Sequence, residues 1–203
     1  MREVFKTKAV AIAMVVLMVA LWVPAVGYGI RTLLQYANTP GRLATPPERW
    51  PAAAPVRPAR ARATMVVFAH PQCPCSRATI GELAEIMARC LGKVDTTVFF
   101  YVPADEKPGW ARTDLWRSAA AIPGVHVMED RDGAVARAFG ASTSGQTLLY
   151  DAAAHLVFNG GITAARGHSG SNDGRDALVA LLNAAVPRRR TTPVFGCSLL
   201  RLE

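Results

Sequence analysis

Residues 65–77 read MVVFAHPQCPCSR. Five apolar residues, Met65 to Ala69, run without alternation toward two cysteines, Cys73 and Cys75, held one residue apart by Pro74. An unbroken, β-branched and aromatic run of this length predicts a strand buried on both faces. Beyond it Ile80, Leu83, Ala84, Met87 and Leu91 recur at helical spacing, which predicts a helix over 76–93. The cysteines therefore fall at or just before a helix N-terminus, where unpaired amides and the positive end of the helix dipole stabilise a thiolate. Two cysteines one residue apart close only a small, strained disulfide ring that is easily reduced, so the pair reads as labile or catalytic rather than structural. Cys73 is the expected nucleophile and Cys75 the expected resolving thiol, with Pro74 restricting the loop between them. The plainer alternative is two thiols that happen to end a buried strand.

After that unit, Thr96 to Val102 (TTVFFYV) predicts a second buried strand. A helix over 110–121, a short strand over 125–128 and a short helix over 134–139 follow. Residues 147–150 and 156–158 predict two strands joined closely enough for an antiparallel hairpin. A last amphipathic helix spans 175–185, with Leu178, Leu181 and Leu182 on one face and Asp173 available to cap it. Strand and helix alternating early, with a hairpin and helix late, describe an α/β sandwich with a mixed central sheet.

The flanks differ from this domain. Ala9 to Ile30 carries no charge, long enough as a helix to cross a hydrocarbon core of about 30 Å. Arg2, Lys6 and Lys8 precede it, and Trp22 and Tyr28 suit an interfacial belt. Residues 1–30 thus read as one N-terminal transmembrane helix; a cleaved signal peptide, with Ala25-Val26-Gly27 as a small-x-small site, is the rival. Residues 31–63, rich in proline, alanine and arginine, read as a linker holding the domain off the membrane. The domain is expected at 64–185, and 186–203 as a basic, cysteine-containing tail. The net charge of +8 lies in these flanks, since 64–185 carries ten basic and twelve acidic side chains. A nucleic-acid partner is therefore not expected, whereas anionic headgroups suit the flanks. A thiol pair that cycles through disulfides fits an oxidising compartment. The expected location is the inner (plasma) membrane, single-pass, with the domain facing the periplasm or cell exterior.

The element order and the strings FAHPQCPCSR (68–77), DRDGAVARAFGA (130–141) and TLLYDAAAHLVFNGGI (147–162) resemble the thioredoxin fold. More narrowly they resemble membrane-anchored, TlpA-type thioredoxin-like proteins and the RedB-like group, over roughly 64–185. The resemblance implies a thioredoxin-like sandwich and a redox C-x-x-C whose first cysteine is Cys73. The chain departs from that motif, with Ser76 in the fourth position and Cys75 in the third. The family's cis-proline before the hairpin strand corresponds to Gln146.

Three further positions enter the candidate site. His70 and His168, the latter in the glycine-rich loop Arg166 to Gly170, have the chemistry to protonate a leaving thiol or to ligate a soft metal. Cys197 lies in an apolar patch with Phe195 and Leu199 after the run Arg188 to Arg190. An exposed thiol is a liability in an oxidising compartment, so Cys197 is expected to be buried or paired near Cys73 and Cys75, as a third, resolving thiol or ligand. Cys90 falls on the helix's apolar stripe and reads as a core residue. Two functions follow. One is a membrane-tethered thiol–disulfide oxidoreductase, without a cofactor, acting on a protein or small-molecule thiol or disulfide partner. The other is a copper or other thiophilic metal protein, with Cys73, Cys75, His70 and His168 as alternative ligands. A thioredoxin-fold binding module with spent chemistry is a third.

Overall fold

The computed structural model describes residues 2–199, and it divides after Asn38. The first unit is one helix, α1 (Arg2–Asn38), with Pro24 inside it. Its segment Ala11–Asn38 is long and apolar enough to cross a membrane by length and composition, with a mean hydropathy of 2.2. The apolar side chains from Ile12 to Leu34 stay exposed, apart from half-buried Val26. The helix runs on through residues 31–38, the first part of the expected linker, because Thr32-Leu33-Leu34-Gln35 contains neither proline nor glycine and Pro40 is the first residue to stop it.

The second unit is built on β1 (Ala63–Ala69), α2 (Pro74–Arg89), β2 (Val94–Val102), α3 (Asp114–Ala120), β3 (Val125–Arg131), α4 (Ala134–Ala138), β4 (Thr147–Tyr150), β5 (Leu156–Gly160) and α5 (Asp173–Leu182). The sheet order is β3-β2-β1-β4-β5. β1 pairs in parallel with β2 and β2 with β3, while β4 is antiparallel to both β1 and β5. This order and these directions are those of a thioredoxin-like α/β sandwich with a mixed sheet.

Pleating divides β1 between two cores. Met65, Val67 and Ala69 face Ile80, Leu83, Ile86 and Met87 of α2, Leu115 of α3 and Leu178 of α5. Val66 and Phe68 face Phe99, Val135, Phe139, Leu148 and Tyr150. With both faces covered, none of β1's sequence has to alternate.

The cover of the second face was not expected. Residues 39–62, read from sequence as a spacer, are packed on the sheet. Trp50 meets Phe139 and Tyr150 edge-on, with ring centroids 4.9 and 5.1 Å apart, and Tyr150 Oη donates to the Pro47 carbonyl at 3.1 Å. Leu156 N–H donates to the Glu48 carbonyl and Trp50 N–H to the Ala154 carbonyl. The prolines keep this segment extended, and an extended chain can lie along a sheet as readily as span a gap.

Smaller differences have local causes. α3 starts at Asp114 rather than 110, because Pro103, Pro108 and Gly109 keep 103–113 in turns. α5 starts at Asp173 and is capped by Asn172, whose Oδ1 accepts from Arg175 N–H, instead of by Asp173 itself. Helix α2 ends at Arg89 with Cys90 as its C-cap, so Leu91, expected on its apolar face, is exposed.

Candidate functional site

Cys73 is the N-cap of α2, with extended backbone and no side-chain cap bond. Its N–H donates to the His70 carbonyl and its carbonyl accepts from Ser76 N–H. Pro74 fills the first helical position, where its fixed φ suits the helix and its missing N–H removes a donor that would have no partner. Cys75 lies in the first turn, and both cysteines are buried.

The C-terminal tail brings the third thiol. After α5 the chain runs back past β5, with Asn159 N–H donating to Arg190 O and Gly161 N–H to Pro193 O. It then pairs antiparallel with the loop before β4: Ser144 N–H donates to Cys197 O, Leu199 N–H donates to Ser142 O, and Thr143 bridges Ser198. Val194 and Leu199 are buried. The backbone approach at Gly196 is so close that a Cβ there would overlap the Ser144 carbonyl oxygen. The pairing carries Cys197 Sγ to 2.8 Å from Cys73 Sγ, and the sulfurs of Cys73, Cys75 and Cys197 all lie within 4.8 Å of one another.

The three thiols are not equivalent. Burial pushes Cys73 up, but the Cys197 thiol and the backbone N–H groups of Cys197, Ser76 and Cys75 donate toward it and hold it below the ordinary thiol range. Burial and the charge of Cys73 raise Cys75, partly countered by the Arg166 guanidinium. Cys197 is pushed up to about 12 by burial and by its bond and proximity to Cys73 and Cys75. Cys73 is thus the most readily ionised of the three, with the Cys197 thiol in hydrogen-bond contact with it.

The remaining expected residues are partners at one remove, or lie apart. Ser76 Oγ bonds Ser144 Oγ at 2.6 Å, and Ser144 Oγ also accepts from His70 N–H, so the helix start, the end of β1 and the tail-pairing loop share one hydroxyl pair. His70 Nδ1 accepts from Gln72 N–H at 3.2 Å. Its ring stacks on Tyr101 and meets Trp110 edge-on, and burial lowers its pKa. Gln146 is buried, with its amide joining Ser142 N–H and Asn159. It braces the tail-pairing loop, and no cis peptide bond occurs among the described residues. His168 sits exposed in its loop. Neither His70 nor His168 belongs to the sulfur cluster. Cys90 is fully buried at the end of α2.

Two contributors were not singled out from sequence. Arg166 Nη1 donates to the Gly196 carbonyl and Nε to the Thr39 carbonyl, fixing the tail while its charge acts on Cys75 and Cys197. Its loop is held by Glu82 of α2, a buried carboxylate that accepts from Gly170 N–H at 2.7 Å, Asn172 Nδ2 at 3.1 Å and Arg175 Nη1 at 2.8 Å. Ser144 is the other. Each lies in a glycine-rich, small-residue loop, and nothing local distinguishes such a serine or arginine from a solvated one.

No protein-family model matches the chain, and no curated protein matches it. Solved structures do. A hypothetical protein from Sinorhizobium meliloti is 23% identical, with a TM-score of 0.59 over 80% of this chain and 96% of that one. An uncharacterized conserved protein from Geobacillus kaustophilus is 21% identical, with a TM-score of 0.58 over 81% and 93%. A secreted Mycobacterium tuberculosis disulfide oxidoreductase is 15% identical, with a TM-score of 0.45 over 61% and 81%. The chain is thioredoxin-like in fold, with an N-terminal apolar helix of a kind that fits a membrane-anchored protein of that fold.

Proposed function

We propose that the protein is a membrane-tethered thiol–disulfide oxidoreductase whose domain faces the periplasm or cell exterior and whose partner is a protein or small-molecule disulfide or thiol. The observation that carries this reading is the Cys73 thiol at the start of α2, held below the ordinary thiol range, with a second thiol, Cys197, 2.8 Å from it. In the reducing direction Cys73 Sγ attacks one sulfur of the partner's disulfide. That S–S bond breaks, its other sulfur leaves as a thiolate, and a mixed disulfide forms on Cys73. Cys197 gives up its proton to the departing partner thiolate and attacks Cys73 Sγ, so that a Cys73–Cys197 disulfide forms and both partner sulfurs leave reduced. Two electrons pass from the two cysteines to the partner. The same steps in reverse oxidise a dithiol. Cys75, in reach of both sulfurs, can attack the new bond and shift it to a pair containing itself. This makes Cys197, by proximity, the first resolving thiol in place of Cys75.

The test uses the full chain in detergent with a model protein disulfide and a thiol reductant as turnover partner. Wild type and Cys90→Ser are expected to turn over, and Cys73→Ser to be inactive at unchanged circular dichroism. Equal rates for Cys73→Ser and wild type would overturn the assignment.

A further inference from the structure

The three cysteine sulfurs form a donor set as well as a redox set. Two thiols come from one turn of α2 and the third from a tail that is itself pinned by Ser144, Leu199 and Arg166, so the set is assembled by the fold from positions 73, 75 and 197. For a trigonal ion with metal–sulfur bonds of about 2.3 Å the sulfurs must stand about 4 Å apart. Here all three lie within 4.8 Å, and the shortest pair is 2.8 Å. Opening that pair by about 1 Å, a side-chain rotation, gives the required triangle.

We infer that, when reduced, Cys73, Cys75 and Cys197 bind one cuprous ion as a three-thiolate site. The choice of ion follows from donor number and type. No histidine or carboxylate joins the three sulfurs among the described residues, and His70 already spends Nδ1 on Gln72 N–H. Zinc takes four ligands in closed sites, whereas thiolates alone in a low coordination number suit soft, monovalent copper. Charge agrees with this. Three thiolates around a monovalent ion leave excess negative charge, and the Arg166 guanidinium and the N-terminus of α2 lie on the cluster to offset it. Binding is not a redox step: Cys75 and Cys197, and Cys73 where it is not already ionised, give their protons to solvent as the ion enters. The inference is independent of disulfide exchange, because it concerns only the reduced protein and needs no disulfide partner.

The test is anaerobic titration of the full chain in detergent with cuprous ion, ascorbate holding the copper reduced, against a chromogenic cuprous chelator. X-ray absorption of the loaded protein counts the sulfurs. One ion per chain with three sulfur neighbours is expected. Cys197→Ser should weaken binding at least about tenfold, about 1.4 kcal/mol, while Cys90→Ser leaves it unchanged. Two sulfur neighbours in the wild type, equal competition by wild type and Cys197→Ser, or tighter four-coordinate binding of zinc would each overturn the inference. The sulfur count needs no variant, so a folding defect in Cys197→Ser does not blunt it.

Discussion

Cys73 and Cys197, separated by 124 positions in the chain, hold their sulfurs 2.8 Å apart. The contact depends on the tail's antiparallel pairing with Ser142 to Ser144. It pairs the readily ionised cysteine at the helix start with a thiol whose proton is held firmly, the arrangement needed for attack followed by resolution.

If Cys197 resolves, its loss should trap the intermediate. Cys197→Ser is expected to accumulate a mixed disulfide on Cys73 with a disulfide substrate, and to slow release of the partner on the order of tenfold, since Cys75 must then act from farther away. Quenched samples on non-reducing gels with mass spectrometry check this. Release at the wild-type rate would assign resolution to Cys75.

Titration should separate the thiols. Cys73 is expected to alkylate at lower pH than Cys75 and Cys197, whose thiols are pushed up. The sign of the stability change follows. The depressed Cys73 contributes stability that is present above its unfolded pKa and lost as pH falls through its folded one. The raised Cys75 and Cys197 cost stability as pH climbs above about 8.5, where the unfolded thiols ionise and the folded ones do not. Urea midpoints should therefore fall in alkaline buffer, and Cys197→Ser should lessen that fall. Arg166→Met, which removes the nearby positive charge, should move both raised thiols higher still.

Gly196→Ala tests the docked tail. Its added Cβ cannot coexist with the Ser144 carbonyl oxygen, and overpacking of this kind costs typically about 1–3 kcal/mol. The tail should leave the loop, Cys197 should alkylate readily in native buffer, and the midpoint of Cys73 should rise as it loses the Cys197 thiol and N–H. An unchanged Cys73 midpoint with a freed Cys197 would show that the α2 N-terminus alone holds Cys73 low.

Residues 39–62 should behave as part of the domain. Trp50 is half-buried against Phe139 and Tyr150, so Trp50→Ala should cost roughly 2–4 kcal/mol, a little below the range for a fully buried aromatic. Chemical denaturation measures it. A soluble piece starting at residue 39 should be more stable than one starting at residue 64, which would leave the Phe139 and Tyr150 face open.

The sandwich was legible because its signals are local. An unbroken, β-branched and aromatic run at 65–69 reads as a doubly covered strand, helical spacing from Ile80 to Met87 marks the helix that covers one face, and Cys73 beside Pro74 marks where the chain turns between them. The sequence also carried the apolar stretch at the N-terminus and the reason for a cysteine at 197 to seek cover. What covers the other face of β1 was not legible, because extended, proline-rich chain carries no period that tells docking from spanning, and the rings that Trp50 packs against, Phe139 and Tyr150, lie far along the chain. The same limit applies to the site. That Cys197, rather than His70 or His168, completes the cluster was decided by backbone pairing at Ser144 and by a glycine at 196 small enough to allow it, and such pairing exists only once both segments are fixed on the sheet.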